Sequence, residues 1–339
     1  MQQVRPGGRP ASRPAGLHPA LAALAAQGVL EARDAAACGV RDLSRAHPVW
    51  GVHPPDGPAL VVKLHAADRG AVDLGIEFLV YRMAVWCESL RDALPTAVVV
   101  DEDAHLLVLE DVGGASLAIR EGFPPQLGHA APGGAASDPL LFQRLGRTLG
   151  ALHRGTAGLP LPPARPPVAL AGLSGLAPLE GEGGRVCAAL ASEAVFADAA
   201  RQLVGPVNGC LVSHDMKWDN VVVRPDGRLV LLDWELAGLG DPAVDLGFLL
   251  AEHLVRAEGA VTDAARALLA GYAAAAPPRA EVAGVLARRT ALAAGLRIGQ
   301  LAVEVAGGDP APVAALTALA RSVLVDVDAL SREVLACLG

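Results

Sequence analysis

Residues 210–250, CLVSHDMKWDNVVVRPDGRLVLLDWELAGLGDPAVDLGFLL, decide how the rest of the chain is read. Apolar Cys210, Leu211 and Val212 seed a strand, which runs into a polar loop holding Asp215, Lys217, Asp219 and Asn220. A β-branched run at 221–223, the turn signal Pro225-Asp226-Gly227 and a second apolar run at 229–232 read as a β-hairpin ending at Asp233. A two-residue Asp226-Gly227 turn pairs Asn220 with Asp233, and a three-residue loop moves the register by one. Either way the two side chains are neighbours, about 5 Å apart at Cβ if directly opposite. Converging carboxylate and amide oxygens suit a hard cation such as Mg2+, which takes oxygen ligands and shares its shell with substrate phosphates. Asp215, earlier on the same loop, is placed to take a proton from an attacking hydroxyl.

The spacing D-x-K-x-x-N from Asp215 to Asn220, followed by a hairpin and Asp233, resembles the catalytic loop and metal-binding aspartate of the kinase superfamily. DWE at 233–235 and GDPAVDL at 240–246 resemble its aminoglycoside phosphotransferase and choline kinase branch. That resemblance implies an α+β, two-lobed, protein-kinase-like fold with a small antiparallel-sheet lobe and a mostly helical large lobe. It implies a phosphotransferase that uses ATP (or GTP) and Mg2+ on an alcohol hydroxyl. Asn220 and Asp233 would hold the metal, Asp215 would accept or orient the acceptor proton, and Lys217 would steady the transferring phosphoryl group. Asp245 resembles the acid that anchors the catalytic loop from below, and Asp241 is placed to cap a helix. The chain departs from the branch pattern at Ser213, where a histidine usually braces the loop; His214 stands next to it.

Lys217, the KWDN at 217–220 and the LSRAHPVW at 43–50 also look similar to the phosphotransferase-like kinases of ribosomal peptide natural-product clusters, the lanthipeptide and thioamitide type. These phosphorylate Ser or Thr of a precursor peptide before elimination, which implies a peptide acceptor and a partner lyase. A small-molecule O-phosphotransferase is the alternative. A non-catalytic pseudokinase scaffold is the reading of another class.

Upstream, ALVVKLH at 59–65 reads as a strand with Lys63 inside it, where a charge is expensive without a partner. Residues 72–86 read as a helix carrying Glu77, with Leu74, Phe78, Tyr81 and Val85 as its apolar stripe. The resemblance implies that Lys63 binds nucleotide phosphates and is held by Glu77. Residues 18–32 read as a first helix, and 39–50 and 59–65 as two strands joined by a turn at 54–57. Strands at 96–100 and 105–109 exit into Glu110, Asp111, Val112 and two glycines, which reads as a hinge between lobes, and the resemblance implies that Glu110, Asp111 and Val112 hold adenine there with backbone groups. The stretch 40–50 contains no G-x-G-x-x-G, so glycine backbone is not what approaches the phosphates. A serine-containing turn of the related enzymes implies that Ser44 or Arg45 faces phosphate there.

Leucines at 140, 141, 145, 149 and 152 mark 139–156 as a helix, with His153 as a packing residue. Segments 122–138 and 159–184 are rich in Pro and Gly, read as irregular, and leave room for a long acceptor. A helix is expected around 185–204, and four more at 244–256, 262–275, 279–305 and 312–337. The expected division is a disordered tail at 1–17, a nucleotide-binding lobe at 18–112, and a lobe at 113–339 with the catalytic loop, metal site and acceptor pocket.

Composition excludes several classes. The 339 residues are 52% hydrophobic, ample for a core, but much of that is Ala and no run nears the roughly 20 apolar residues of a membrane span. The first residues, MQQVRPGGRPASRPAGL, lack the apolar core of a secretory signal. Five cysteines without C-x-x-C spacing argue against zinc and disulfides and fit a reducing cytoplasm. A formal charge of −8 with 3% aromatics offers neither the basic stripe nor the stacking platform of a nucleic-acid binder. Past residue 250 the chain has nine Asp or Glu against eight Arg and no Lys, whereas a pocket for a polycationic aminoglycoside would show surplus acid.

Overall fold

The computed structural model describes residues 17–31, 33–44, 48–64, 75–121, 137–164, 181–203 and 209–339. They form two compact units, Met1–Gly113 and Gly114–Gly339. The amino-terminal tail, Arg45, Leu74 and most of the two Pro/Gly-rich segments lie outside the described residues.

The first unit is built on a five-stranded antiparallel sheet of order β1-β2-β3-β5-β4. Its strands are β1 Gly39–Asp42, β2 Val49–His53, β3 Leu60–Leu64, β4 Ala97–Asp101 and β5 Leu106–Glu110. Helix α1, Pro19–Ala26, puts Leu21 and Leu24 into one buried cluster with Val52, Leu60, Val62, Leu106 and Val108. Side chains alternate along a strand, so Lys63 faces away from that cluster. Helix α2, Gly75–Met83, and the short α3, Glu88–Ala93, complete the described part of this unit.

Several expectations are corrected here. α1 ends earlier than residue 32 because Gly28, at φ +65°, supplies a left-handed C-terminal turn in which Val29 N bonds back to Leu24 O at 3.0 Å. The single strand expected at 39–50 is two, β1 and β2, paired antiparallel as Asp42↔Trp50. α2 stops at Met83, so Phe78 and Tyr81 are buried while Val85, beyond its end, is 58% exposed.

The second unit is mostly helical. Its helices are α4 Leu117–Arg120, α5 Pro139–Thr156, α6 Gly181–Ser192, α7 Ala194–Leu203, α8 Pro242–Arg256, α9 Asp263–Ala275, α10 Ala280–Glu304, α11 Pro310–Val325 and α12 Val327–Leu338. The helices expected at 185–204 and 312–337 are each broken in two, at Glu193 and at Asp326. Two small sheets carry the polar loop. Strand β7, Cys210–Val212, pairs with β10, Gly238–Gly240, and β8, Val221–Val223, lies between β6, Ala115–Ser116, and β9, Leu229–Leu231.

The β8–β9 hairpin pairs Val223 with Leu229, and Arg224 N reaches Arg228 O at 2.9 Å. This is the three-residue register, because Gly227 takes φ +82° and adds a residue to the loop. Asn220 therefore stands opposite Leu232, whose N donates to Asn220 O at 2.8 Å, and Asp233 lies one position further on.

Candidate active site

The polar loop is fixed from below before it does anything else. Asp241 caps α8, accepting from Ala243 N at 2.9 Å, with Pro242 in the first turn. Asp245, one turn later and fully buried, accepts from Ser213 N and His214 N, both at 2.9 Å. His153 Nε2 lies 3.3 Å from the same carboxylate and its Nδ1 3.1 Å from the Tyr272 hydroxyl. These contacts hold His214 at φ +59°, a left-handed conformation that costs a non-glycine residue about 1 kcal/mol and turns the chain sharply into the loop. Ser213 Oγ then accepts from Asp215 N at 3.2 Å. His153 is thus a packing residue with a definite task, orienting Asp245.

Three of the singled-out side chains meet above this anchor. Lys217 Nζ lies 2.7 Å from Asp215 Oδ2, and Asn220 Nδ2 donates to that oxygen and to Asp215 O, both at 2.9 Å. Burial raises the Asp215 carboxyl above its usual range, with the Lys217 ammonium opposing the rise. Burial works against the charge of Lys217 too, but Asp215 outweighs it and the ammonium is held above its ordinary value. The result is a partly exposed carboxylate whose charge depends on its two neighbours.

Asn220 spends its amide nitrogen on Asp215, which turns its side-chain oxygen away from that carboxylate. Asp233 follows β9 at φ +63°, a second non-glycine residue in the left-handed region. The next residue, Trp234, is fully buried with Nε1 bonded to Leu231 O at 3.2 Å, so it pins the bend that carries Asp233. Among the described residues no group of three His, Cys, Asp or Glu side chains makes a metal site. Asn220 and Asp233 offer one amide and one carboxylate oxygen, the kind of hard donor that Mg2+ takes when phosphate and water oxygens complete its shell.

In the first unit, Lys63 Nζ and Glu77 Oε2 are 2.8 Å apart, with both residues buried. A lysine facing out of a strand into apolar surroundings is tolerable because the first turn of α2 delivers that carboxylate. Ser44 closes the end of the β1–β2 connection: its N donates to Asp42 Oδ1 at 2.8 Å, and its Oγ accepts from Val49 N at 3.0 Å. Glu110 N and Asp111 N bond to Thr96 O and Ala59 O, while Val112 lies just beyond the ladder.

Two residues near the loop had not been singled out. Glu252 on α8 accepts from Trp218 N at 2.7 Å, and the fully buried Arg297 on α10 adjoins it, Nη2 to Oε1 at 3.8 Å. The signal was available, since each is a charge inside an otherwise apolar helical run, where it must have a partner.

The fold is shared with proteins of known structure. A choline/ethanolamine kinase family protein from Mesorhizobium loti superposes with a TM-score of 0.56 at 18% identity, over 94% of this chain and 97% of its own. Plasmodium vivax ethanolamine kinase gives 0.57 at 9% identity, over 93% and 88%. The amicoumacin kinase hAmiN, solved with AMP-PNP, Ca2+ and Ami, gives 0.55 at 14% identity, over 85% and 88%. At such identities these likenesses show a shared protein-kinase-like fold. No curated protein matches the chain. The profile of the phosphotransferase enzyme family matches residues 39–284, most of the chain, and the chain belongs to that family.

Proposed function

We propose that this phosphotransferase moves the γ-phosphoryl group of ATP, with Mg2+, to the hydroxyl of an acceptor that does not carry several positive charges. The observation that carries the reading is the Asp215–Lys217–Asn220 cluster. A carboxylate that can receive a proton stands beside an ammonium that can meet phosphoryl oxygens, on a loop held rigidly by Asp245. Phosphoryl transfer asks little covalent chemistry of a protein, so positioning and charge neutralisation dominate its rate. Asp215 takes or orients the acceptor proton, Lys217 steadies the moving group, and Lys63, held by Glu77, binds nucleotide phosphate. Asn220 and Asp233 would hold the cation, which supplies charge neutralisation on the phosphates when bound.

The acceptor class rests on where the acids are spent. Of the nine Asp and Glu past residue 250, Glu252, Glu304, Asp328 and Glu333 each face an arginine and Asp309 caps α11. Few remain to repay the desolvation of several ammonium groups. A phosphate-transfer panel with ATP and Mg2+ tests this on kanamycin-like aminoglycosides, neutral and singly charged alcohols, and Ser/Thr peptides. Transfer to an alcohol or a peptide is expected. Efficient turnover of the aminoglycosides, weakening as salt rises, would contradict it.

A further inference from the structure

Lys217 precedes and Asn220 ends a single 3-10 turn, Trp218–Asn220, and Lys217 provides no side-chain cap for it. Such a turn leaves its first amide without an acceptor of its own. Glu252 Oε2 fills that role for Trp218 N at 2.7 Å. Glu252 lies two helical turns after Asp245 on the same face of α8, so one helix grips the loop twice, through the amides of 213 and 214 and through the amide of 218.

A buried carboxylate has no reason to be there without partners. Arg297 lies beside Glu252 Oε1, is stacked 5.5 Å from the Phe248 ring, and is tied by Nη1 to Glu304 Oε1 at 2.6 Å. Gln300 Nε2 holds that same Glu304 oxygen at 2.7 Å. Burial pushes the Glu252 carboxyl up to about 7, with Arg297 opposing, so the position keeps a hydrogen-bond acceptor more firmly than it keeps a charge.

We propose that Glu252 is a positioning residue for phosphoryl transfer: it accepts from the Trp218 amide and so sets where Lys217 and Asn220 stand relative to Asp215, while Arg297 holds it in that orientation. The proposal rests on the roles given above to Asp215, Lys217 and Asn220. Its leverage is geometric. The contacts of Asp215 with Lys217 at 2.7 Å and Asn220 at 2.9 Å cannot both survive a movement of the intervening turn by about 1 Å, and misplacement on that scale costs about 100-fold in rate. The competing role is that of a mere counter-ion for Arg297.

Two near-isosteric variants separate the roles. Glu252→Asp keeps the charge but withdraws the acceptor by one methylene, and Glu252→Gln keeps the acceptor but loses the charge. Two readouts are taken: steady-state ATP hydrolysis with Mg2+ and water as acceptor, and hydrogen exchange of the backbone amides of 213–221, α8 and α10 in the free protein. Positioning predicts that Glu252→Asp lowers kcat at least about 10-fold with the ATP KM changed less than about threefold, and speeds exchange at Trp218 alone. Glu252→Gln then loses less than about threefold and keeps that protection. Equal damage in the two variants, an unchanged Glu252→Asp, or exchange raised throughout α8 and α10 would overturn the proposal. Should the wild type hydrolyse no ATP, kcat is read on transfer to the best acceptor of the panel; if no acceptor is phosphorylated, the roles of Asp215 and Lys217 fail on their own, and the exchange measurement still decides what Glu252 does to the loop.

Discussion

His253 sits beside Glu252 with its ring 4.3 Å from Phe142 and 4.9 Å from Trp218, and neither ring nitrogen finds a partner among the described residues. Burial lowers its pKa to about 3, so the folded protein holds it neutral. Between pH 6.5 and 3 the unfolded chain binds a proton there that the native state refuses, and stability is lost as pH falls through that window. Glu252, raised to about 7, acts in the opposite sense, since the native state keeps a proton that the unfolded chain releases above about pH 4.5. Replacing His253 by Leu removes the first effect and leaves the second. Urea denaturation of both proteins at pH 8 and pH 5 should show the variant gaining on the wild type by on the order of 2 kcal/mol at the lower pH. An equal difference at both pH values would mean that His253 is hydrated or paired in solution. Asp215, Lys217 and Asn220 were legible in the sequence because their contacts lie within five residues, where loop spacing alone brings them together. Glu252 meets Trp218 across 34 residues, and Arg297 comes from a helix further still, so only tertiary packing joins them to the loop. Ser213 had left the bracing of the loop in question; the backbone amides of 213 and 214 on Asp245 supply it without a histidine at that position.

At the scale of elements, α5 and α9 are pressed together through glycine. A Cβ on Gly146 would lie 1.9 Å from Leu268 O, and one on Gly271 would lie 2.1 Å from Gln143 O. Alanine is the better helix former by about 1 kcal/mol, yet a backbone carbonyl cannot step aside as a side-chain end can, and overpacking costs about 3 kcal/mol. Gly146→Ala should therefore destabilise by about 2 kcal/mol. Gly284→Ala in α10 meets nothing within 4 Å and should stabilise by up to about 1 kcal/mol. Denaturant midpoints for the pair check both signs. The span of α5 was readable from its leucine spacing because one apolar stripe runs its full length. The breaks at Glu193 and Asp326 were not, since Ala-rich sequence favours helix on both sides and only packing against neighbours decides where it stops. The hairpin register turned on one residue, Gly227, whose left-handed conformation selects the longer loop.

Across the whole molecule, the fold class was legible because the motif at 215–246 resembles that of a two-lobed family, while short apolar, β-branched runs such as 60–64 and 106–110 mark strands in the first unit and helical periodicity follows Asp245 in the second. Residues 39–284, which match the family profile, span the Lys63–Glu77 ion pair, the polar loop at 213–220 and Asp233. Acceptor identity is not written in the same way, because it depends on which side chains converge in space, and local spacing does not set that. The central claim is that Asp215 acts on the acceptor during transfer and does little for nucleotide binding. The most direct test pairs calorimetric ATP–Mg2+ affinity with phosphoryl transfer to the best acceptor of the panel, for the wild type and Asp215→Ala. ATP affinity is expected to stay within about threefold while kcat falls at least about 100-fold, the pattern of an interaction made in the transition state. ATP affinity that collapses while transfer per bound complex persists would contradict it.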